Sequence, residues 1–467
     1  MTNYLYRRHA HVLAGLAATA LNACGTSDAT GPSPAELGEQ LFTQAFANTN
    51  RRSCATCHVP EDHFTLTPAH VARLLEKNPD DPLFSAIDAD DPAAHPLTFE
   101  HLKKGLIRIW LTLPSNVDVI DEDGQVTTPA DRRIFVWRSV PSIADAALTA
   151  PFQLDGRVAT LEQQAQEAVT SHSEGANVAA QDLALIAAFE REQFSSERAR
   201  RAAAEQATGT ALGNASDVDA TLTLSAEEMR GQAVYEAVCT ACHGGTNRAT
   251  IVDRAVHAVA FPDLKPDGAV RYTVPATDPP TLVLADQPNN EFINIGSAME
   301  NHLVQLEATE HESFTKDVSF PAYRLRFYAS AARKEIVADL PPAVRPDEDP
   351  FNPSVDSDGN PIWGPNLFLQ LFTTDPGRAL ITGSPYDFEA FDIPTLRGIS
   401  RTAPYWHNNI SETLEDVVEL YSDHLLSKFP SLTLPGDKEP DLDGDVGPPE
   451  ALTAAQKRDL VAYLKRL

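Results

Sequence analysis

The sequence is short of basic residues, of cysteine and of long apolar runs, and these shortages narrow the function classes that remain. Only 37 Lys and Arg stand against 66 Asp and Glu, so the 467-residue chain has a formal net charge of -29. This charge argues against nucleic acid or an anionic membrane face as a partner, and it favours a basic protein partner. No repeat of solenoid length is found. The length leaves room for two domains, each with its own core.

The start of the sequence has the pattern of a targeting segment. Arg7 and Arg8 precede an apolar stretch, residues 12–21, that is too short to span a bilayer. The small residue before Cys24 is typical of a lipoprotein signal. We therefore predict a lipoprotein-type signal peptide over residues 1–23, a lipid on Cys24, a tether over residues 24–33, and a periplasmic protein anchored to a membrane only by that lipid. An ordinary signal peptide followed by an unrelated cysteine is the alternative.

The other four cysteines form two copies of one pattern, C-x-x-C-H. The copies are Cys54-Ala55-Thr56-Cys57-His58 and Cys239-Thr240-Ala241-Cys242-His243. In the attachment signature of haem c, both thiols form thioether bonds to the porphyrin and the adjacent histidine ligates the iron. A thioredoxin-like dithiol would not need the histidine, and a zinc site would need further ligand pairs. The sequence therefore predicts two covalently bound haem c groups.

The predicted fold is mainly α, with two cytochrome c-like helical domains, each with one covalent haem c, and long irregular loops. The 35 prolines favour helices separated by irregular segments. Ser225 with Glu228, and Thr453 with Gln456, match the capping-box pattern and predict two helix starts. Residues 182–204 are interpreted as one helix. Turn-forming residues over 208–223 predict a linker, which divides a first haem domain, 34–207, from a second, 224–467.

Further motifs occur in both halves around the two haem signatures. The first half contains Pro141-Ser142-Ile143, Asp155-Gly156-Arg157 and Leu161-Glu162-Gln163-Gln164-Ala165. The second half contains Asn294-Ile295-Gly296, Asp375-Pro376-Gly377-Arg378, Ile393-Pro394-Thr395-Leu396-Arg397, Thr402-Ala403-Pro404-Tyr405-Trp406-His407 and Thr413-Leu414-Glu415-Asp416. Together they resemble the bacterial diheme cytochrome c peroxidase family, which includes the diheme enzyme that matures methylamine dehydrogenase. Residues 59–133 and an insertion around 299–366 fall outside the resemblance.

The resemblance implies different roles for the two haems. The first-domain haem would meet peroxide, with Gln164 and Glu174 above it, and the second-domain haem would hold electrons. Cleavage of an O–O bond needs a group that moves a proton between the peroxide oxygens, and a carboxylate can do so. By its spacing from Thr402, Tyr421 matches the sixth ligand of the second haem. Two histidines near it in the sequence, His424 and His407, are the alternatives.

The chain departs from the family pattern at two positions next to the first haem. Leu154 stands where the family has a tryptophan between the haems, so Trp137 or Phe152 would have to serve as the aromatic relay. Asp131 stands where many family members have a histidine that blocks the first haem, which favours an open first haem. Four other histidines are possible substitutes, namely His63, His70, His95 and His101, although each is more typical of a surface or core position.

The resemblance also implies one calcium ion between the domains. Thr402 and Pro404 match the backbone carbonyl ligands, whereas Ser139 stands in place of the asparagine ligand. Because calcium accepts carbonyl and water oxygens readily, the site would survive with lower affinity. The acidic stretch 441–445 is interpreted as a turn, since it lacks the twelfth-position acid of an EF-hand.

The sequence thus predicts an exported diheme oxidoreductase that reduces hydrogen peroxide at the first haem with electrons delivered through the second. A diheme oxidase or oxygenase of an organic or protein substrate is one alternative, and a non-catalytic diheme electron carrier is the other. The expected partners are hydrogen peroxide, a basic cytochrome c or a copper protein as electron donor, and a second copy of the chain in a homodimer.

Overall fold

A computed structural model describes residues 31–208, 218–250, 313–341, 372–422 and 452–467, together with the backbone of three short strands between residues 263 and 294. The helices are α1 (Pro34–Thr43), α2 (Pro68–Lys77), α3 (Glu100–Lys103), α4 (Leu161–Ser171), α5 (Ala180–Arg191), α6 (Glu197–Ala207), α7 (Ala226–Val238), α8 (Ala379–Thr382), α9 (Leu414–Leu420) and α10 (Ala454–Leu464). The strands are β1 (Leu106–Thr112), β2 (Val117–Ile120), β3 (Arg133–Ser139), β4 (Asp263–Leu264), β5 (Val270–Arg271), β6 (Phe292–Asn294), β7 (Arg324–Tyr328), β8 (Ile336–Leu340) and β9 (Ala390–Asp392).

Local sequence accounts for most of the helix starts. Ser225 and Glu228 form the predicted capping box of α7, as do Thr453 and Gln456 in α10. The helix predicted over 182–204 was wrong in one respect, because two helices occupy that stretch. α5 ends at Arg191, and the Ser196 side chain accepts a hydrogen bond from the Ala199 N–H to begin α6.

Each half of the chain begins with a helix that crosses a later helix at close range. α1 packs on α5 in the first half, and α7 packs on α10 in the second. Gly38 lies against the Leu185 carbonyl at the first crossing, and Gly231 lies against the Asp459 carbonyl at the second. A Cβ at either glycine would collide with that carbonyl, so glycine permits the close approach.

A longer segment also occurs twice, in identical register. The stretch from Pro141 to α4 and the stretch from Pro394 to α9 share a left-handed residue, a short 3₁₀ turn, a Thr-Ala-Pro run, a one-pair β-bridge and a threonine N-cap. Each feature of the second stretch lies the same number of residues after its counterpart in the first stretch. The bridges pair Phe152 with Val158 and Tyr405 with Ser411. The two halves are therefore structural copies, a relationship that the sequence prediction did not include.

Strands fill part of the chain that was predicted to be irregular. β1 and β3 form an antiparallel ribbon, and β2, β7 and β8 form a three-stranded antiparallel sheet. Both contain alternating, largely β-branched or aromatic residues, which suit a pleated surface with one buried face. The prediction of a mainly helical fold is therefore only partly right. Its long irregular loops hold sheet in residues 106–139 and 324–340, although the repeated regions around the two C-x-x-C-H motifs are helical.

The three-stranded sheet joins the two halves of the chain. β2 precedes α4, whereas β7 and β8 lie in the insertion predicted around 299–366. Val117, Leu325 and Phe327 are fully buried in one core with residues of β1 and β3. The two stretches outside the family resemblance thus pack against each other.

No helix in the described residues is long and apolar enough to cross a membrane. The predicted signal peptide, Cys24, His424 and the acidic stretch 441–445 lie outside the described residues, as do most of the tether, much of the linker and the remainder of the insertion.

Candidate haem sites

Both C-x-x-C-H motifs line one continuous cavity. Cys54, Cys57 and His58 line one end, and Cys242, His243 and Tyr421 line the other. The cavity offers about 410 Å³ to the centres of water-sized spheres. Its walls come mainly from the two repeated segments, and residues of both Thr-Ala-Pro runs are among them.

The first motif holds its histidine in one orientation. Nδ1 of His58 lies 3.1 Å from the Phe64 carbonyl oxygen, which makes Nδ1 the protonated nitrogen and leaves the Nε2 lone pair for a metal. Burial raises the pKa of the Cys54 thiol to about 12 and that of Cys57 to about 11. Free thiols with these pKa values are poor nucleophiles at neutral pH, which disfavours the dithiol alternative.

The second motif repeats this arrangement and adds a tyrosine. Nδ1 of His243 lies 3.3 Å from the Arg248 carbonyl oxygen, and Nε2 lies 3.3 Å from the Tyr421 hydroxyl. If a haem is attached to the second motif, His243 and Tyr421 are the side chains that would hold its iron. The Tyr421 ring stacks on Trp406 at a centroid distance of 5.1 Å, which fixes its direction.

The internal repeat shows what the first copy has in place of this tyrosine. Ala168, on α4, is related to Tyr421 by the same interval that relates the other paired features, and it also lines the cavity. A methyl group cannot ligate iron. At this repeated position, the second copy offers an oxygen donor and the first copy offers none.

The structure separates the two residues predicted for peroxide chemistry. Gln164, on α4, lines the haem cavity. Glu174 is exposed and lines an adjacent depression, where its Oε2 accepts a hydrogen bond from Asn50 Nδ2 at 3.1 Å. His172, Arg157 and Ile109 line both spaces, so the depression adjoins the haem cavity. The catalytic roles of Gln164 and Glu174 stay predictions.

None of the four histidines considered as blockers of the first haem lines the cavity. His101 is buried elsewhere, with Nδ1 2.6 Å from an Asp90 oxygen and Nε2 2.7 Å from the Ser319 carbonyl. Its ring stacks on Trp137 at 4.1 Å, on the opposite face of the β1–β3 ribbon from the cavity-lining Ile107 and Ile109. Of the two aromatic residues suggested as replacements for the bridging tryptophan, only Phe152 lines the cavity.

The two copies meet through a pair of equivalent backbone hydrogen bonds. The Ser139 N–H donates to the His407 carbonyl at 2.7 Å, and the Asp392 N–H donates to the Leu154 carbonyl at 2.9 Å. The interval from Ser139 to Asp392 equals that from Leu154 to His407, so an approximate two-fold axis passes between the two hydrogen bonds. Thr402, Pro404 and Ser139 all line the cavity here. The calcium site stays a prediction.

His407 has an unusual environment for a buried histidine. Its side chain is 5% exposed, neither ring nitrogen has a hydrogen-bond partner among the described residues, and its ring stacks on Phe391 at 4.2 Å. Burial lowers the pKa of His407 to about 4. Orphaned buried nitrogens are costly unless a group from the cavity pairs with them. The acidic side chains of a haem are suitable partners, so His407, the four free thiols and the two oriented histidines fit two haem c groups.

Sequence reasoning missed two further charged residues at the cavity. Arg52 is buried, donates to an Asp88 carboxylate oxygen at 2.7 Å and has no spacing signal that would have revealed it. Glu190 is 2% exposed, and its Oε2 has no hydrogen-bond partner among the described residues. Burial, opposed by Arg191, raises the pKa of Glu190 to about 8. The sequence did contain a signal for the burial of Glu190, because this residue lies at helical spacing from Ile186 and Ala187 and so continues the apolar face of α5.

Comparisons with known proteins agree with the motifs. The family model described as di-haem cytochrome c peroxidase matches residues 32–216. Cytochrome-c peroxidase IdrP2 of Denitromonas iodatirespirans is 33% identical over 94 residues, and cytochrome-c peroxidase IdrP1 of Pseudomonas sp. strain SCT is 30% identical over 93 residues. Each alignment covers 20% of this chain, and the chain spans about a fifth of each relative's length, 21%.

The crystal structure of the diheme peroxidase BthA from Burkholderia thailandensis was also matched, at 16% sequence identity. The match covers 93% of this chain and 85% of that chain, with a TM-score of 0.35.

Proposed function

We propose, since residues 32–216 match the di-haem cytochrome c peroxidase family model, that this chain is an exported di-haem c-type cytochrome that reduces hydrogen peroxide. Cys54, Cys57 and His58 would hold the haem that meets peroxide. Cys239, Cys242 and His243 would hold the haem that receives electrons from a donor protein. Bound in this way, the two haems would supply the one-electron chemistry that amino-acid side chains lack.

The observation that carries the proposal is the unequal pair formed by Ala168 and Tyr421. Tyr421 faces His243 at 3.3 Å, whereas the equivalent position in the first copy is an alanine. A haem iron whose sixth coordination position is filled suits electron storage, whereas one with a free sixth position suits the binding of a small oxidant. The two copies of one scaffold would therefore divide electron transfer and peroxide binding between them.

The residues at the first site would bind peroxide and move its protons. Reduction of one hydrogen peroxide consumes two electrons and two protons and yields two waters. Gln164 lies in the cavity wall and can donate a hydrogen bond to a peroxide oxygen. Glu174 adjoins the cavity through the depression shared by His172 and Arg157, and its carboxylate would relay protons from solvent.

A second candidate function is oxidation of an organic or protein substrate. An oxygen ligand such as Tyr421 favours ferric iron, which would lower the potential of the second haem and suit stabilisation of oxidised states. A non-catalytic electron carrier is the third candidate. It would require a ligand on both irons, and His172 is the histidine next to the first site that lines the cavity.

Mass measurement and spectra of the purified holoprotein test the proposal. Intact mass after acid denaturation should exceed that of the polypeptide by two haem masses, and no covalent addition would end the cytochrome interpretation. The first haem should be high-spin and should react with peroxide. A low-spin first haem that ignores peroxide would support the carrier function, and His172→Ala would then identify the ligand.

The internal repeat supplies a matched pair of variants for this test. Ala168→Tyr places a phenol in the first copy where the second copy has Tyr421. We expect it to convert the first haem to a six-coordinate state and to slow the reaction with peroxide, while the second haem keeps its spectrum. An Ala168→Tyr protein with parent spectra and parent turnover would contradict the assignment of Ala168 to the open side.

We further propose that the protein works in the periplasm, held to a membrane by a lipid on Cys24, and takes electrons from a small basic cytochrome c or a copper protein. The lipoprotein-like sequence before Cys24 and the net charge of -29 support this proposal. Membrane fractionation of the parent and of Cys24→Ala tests the anchor, since the variant should leave the membrane fraction.

A further inference from the structure

The approximate two-fold axis brings two side chains to equivalent positions between the haem sites. Leu154 and His407 are related by the repeat, and each accepts a hydrogen bond on its carbonyl from the other copy. Leu154 and His407 both line the cavity that is also lined by His58 and His243, so both are candidates for the route of an electron that passes from one site to the other.

The two equivalent positions differ in their chemistry. Leu154 is aliphatic, whereas His407 has a conjugated ring stacked on Phe391, with ring planes 20° apart. The Arg138 guanidinium lies 5.6 Å from the centre of the Phe391 ring on the same interface. Electron tunnelling decays less steeply through bonded and tightly packed atoms than through space, so the conjugated His407 ring, packed on Phe391 in the cavity wall, is the better medium.

We infer that the His407 imidazole, packed on Phe391 at the axis between the two copies, is the bridge through which electrons pass between the haems. The inference rests on the proposed function, because it requires a haem at each motif. His407 lines the cavity, and neither of its ring nitrogens has a hydrogen-bond partner among the described residues, so the protonated nitrogen can donate to an acidic side chain of a haem. One electron would leave a reduced haem held by His243 and an oxidised haem held by His58 would accept it, with no bond in His407 formed or broken.

His407 and Phe391 therefore take over the connection that an aromatic side chain at Leu154 would provide. The connection comes from the second copy of the repeat, on the opposite side of the axis. His407 would be a bridging residue and not a ligand, since Tyr421 already faces His243.

The test uses the holoprotein with only the second haem reduced. After rapid mixing with hydrogen peroxide, the loss of the reduced band of that haem reports the transfer rate. His407→Leu is the main variant, because the first copy shows that leucine fits this position. We expect its transfer rate to fall by an order of magnitude or more while both haems stay attached, and the midpoint potentials of both haems, measured in parallel, correct the rate for any change in driving force.

Two further variants make the test specific. Leu154→Ala removes the equivalent side chain in the other copy and should leave the transfer rate near that of the parent. Leu154→His combined with His407→Leu moves the imidazole across the axis and should restore most of the rate. An unchanged rate in His407→Leu, or an equal loss in Leu154→Ala, would overturn the inference.

The outcomes separate this inference from the proposed function. If the protein lacks haem at either motif, or its first haem does not react with peroxide, the proposed function fails before His407 is tested. If both haems are present and peroxide oxidises the first haem at the parent rate in every variant, only the route between the haems is in question.

Discussion

Replacement of Arg138 by methionine should destabilise the protein more than loss of any single surface ion pair. Arg138 is 2% exposed, and its guanidinium donates to Asp375 at 2.6 and 2.9 Å and to Asp155 at 2.6 Å. Methionine retains much of the apolar packing but leaves two buried carboxylates without this partner. Asp155 would keep Arg157, and Asp375 would keep the Gly377 N–H.

Breaking a buried ion pair by removing one partner costs about 3–5 kcal/mol, because a buried charge is left uncompensated. We expect the free energy of unfolding of Arg138→Met to fall by about this amount at pH 7. Lys103→Met is the control, since Lys103 pairs with Glu100 at the surface, 41% and 58% exposed, and surface pairs contribute about 0–1 kcal/mol. Chemical denaturation, followed by haem absorbance and by far-ultraviolet circular dichroism, measures both.

The difference in free energy of unfolding between the parent and Arg138→Met should become smaller as the pH falls. Although burial raises the pKa of Asp155, the charges of Arg138 and Arg157 outweigh burial and lower that pKa in the parent. A lowered pKa stabilises the parent above the unfolded-state pKa of aspartate, about 3.9, and this contribution disappears as the pH falls through the lower folded value. A deficit below 1 kcal/mol at pH 7, or one independent of pH, would refute this reasoning.

Three further predictions concern the haem sites and the donor. Tyr421→Phe retains the ring but removes the oxygen, so the second haem should change spin state or potential while the first keeps its spectrum; unchanged spectra would shift the assignment to His424 or His407. Glu174→Gln should keep both haems but lower turnover with peroxide by about 10²–10⁴-fold, the usual contribution of a general acid-base group. Gln164→Ala should lower turnover less, because water can replace a positioning hydrogen bond. Turnover at the parent rate in Glu174→Gln would contradict the catalytic role of Glu174. Reduction by a basic cytochrome should slow as salt rises, because screening weakens the attraction to a chain of net charge -29; a salt-independent rate would favour a neutral donor.

The features predictable from the sequence are those encoded over a few residues. The Ser225–Glu228 capping box needs two side chains three residues apart, and α7 begins where that spacing predicts. Leu460, Val461 and Leu464, which recur at helical spacing in α10, are likewise all buried. The two thiols and the histidine of each C-x-x-C-H motif are also predictable, because they lie within five consecutive residues.

The features that escaped prediction depend on contacts between distant segments. β2 pairs with β7, although most of the first copy and part of the second lie between them in the sequence. No local pattern in either strand specifies that partner. His407 was considered only as a competing iron ligand, because its stack on Phe391 and its place beside the axis arise from how the two copies meet. Glu174 was placed by spacing alone, and spacing cannot distinguish the haem cavity from the depression beside it.

The sheet formed by β2, β7 and β8 has a consequence for how the chain acquires its structure. β2 cannot pair until β7 has left the ribosome, because the partner strand lies about two hundred residues later in the sequence. Until then the first half exposes an unpaired strand edge and the apolar side chains of Val117 and Ile109, a combination that promotes aggregation. Contacts of such high sequence separation form slowly. A first half expressed alone should therefore be less soluble than the whole chain, because the two halves would fold as a single unit.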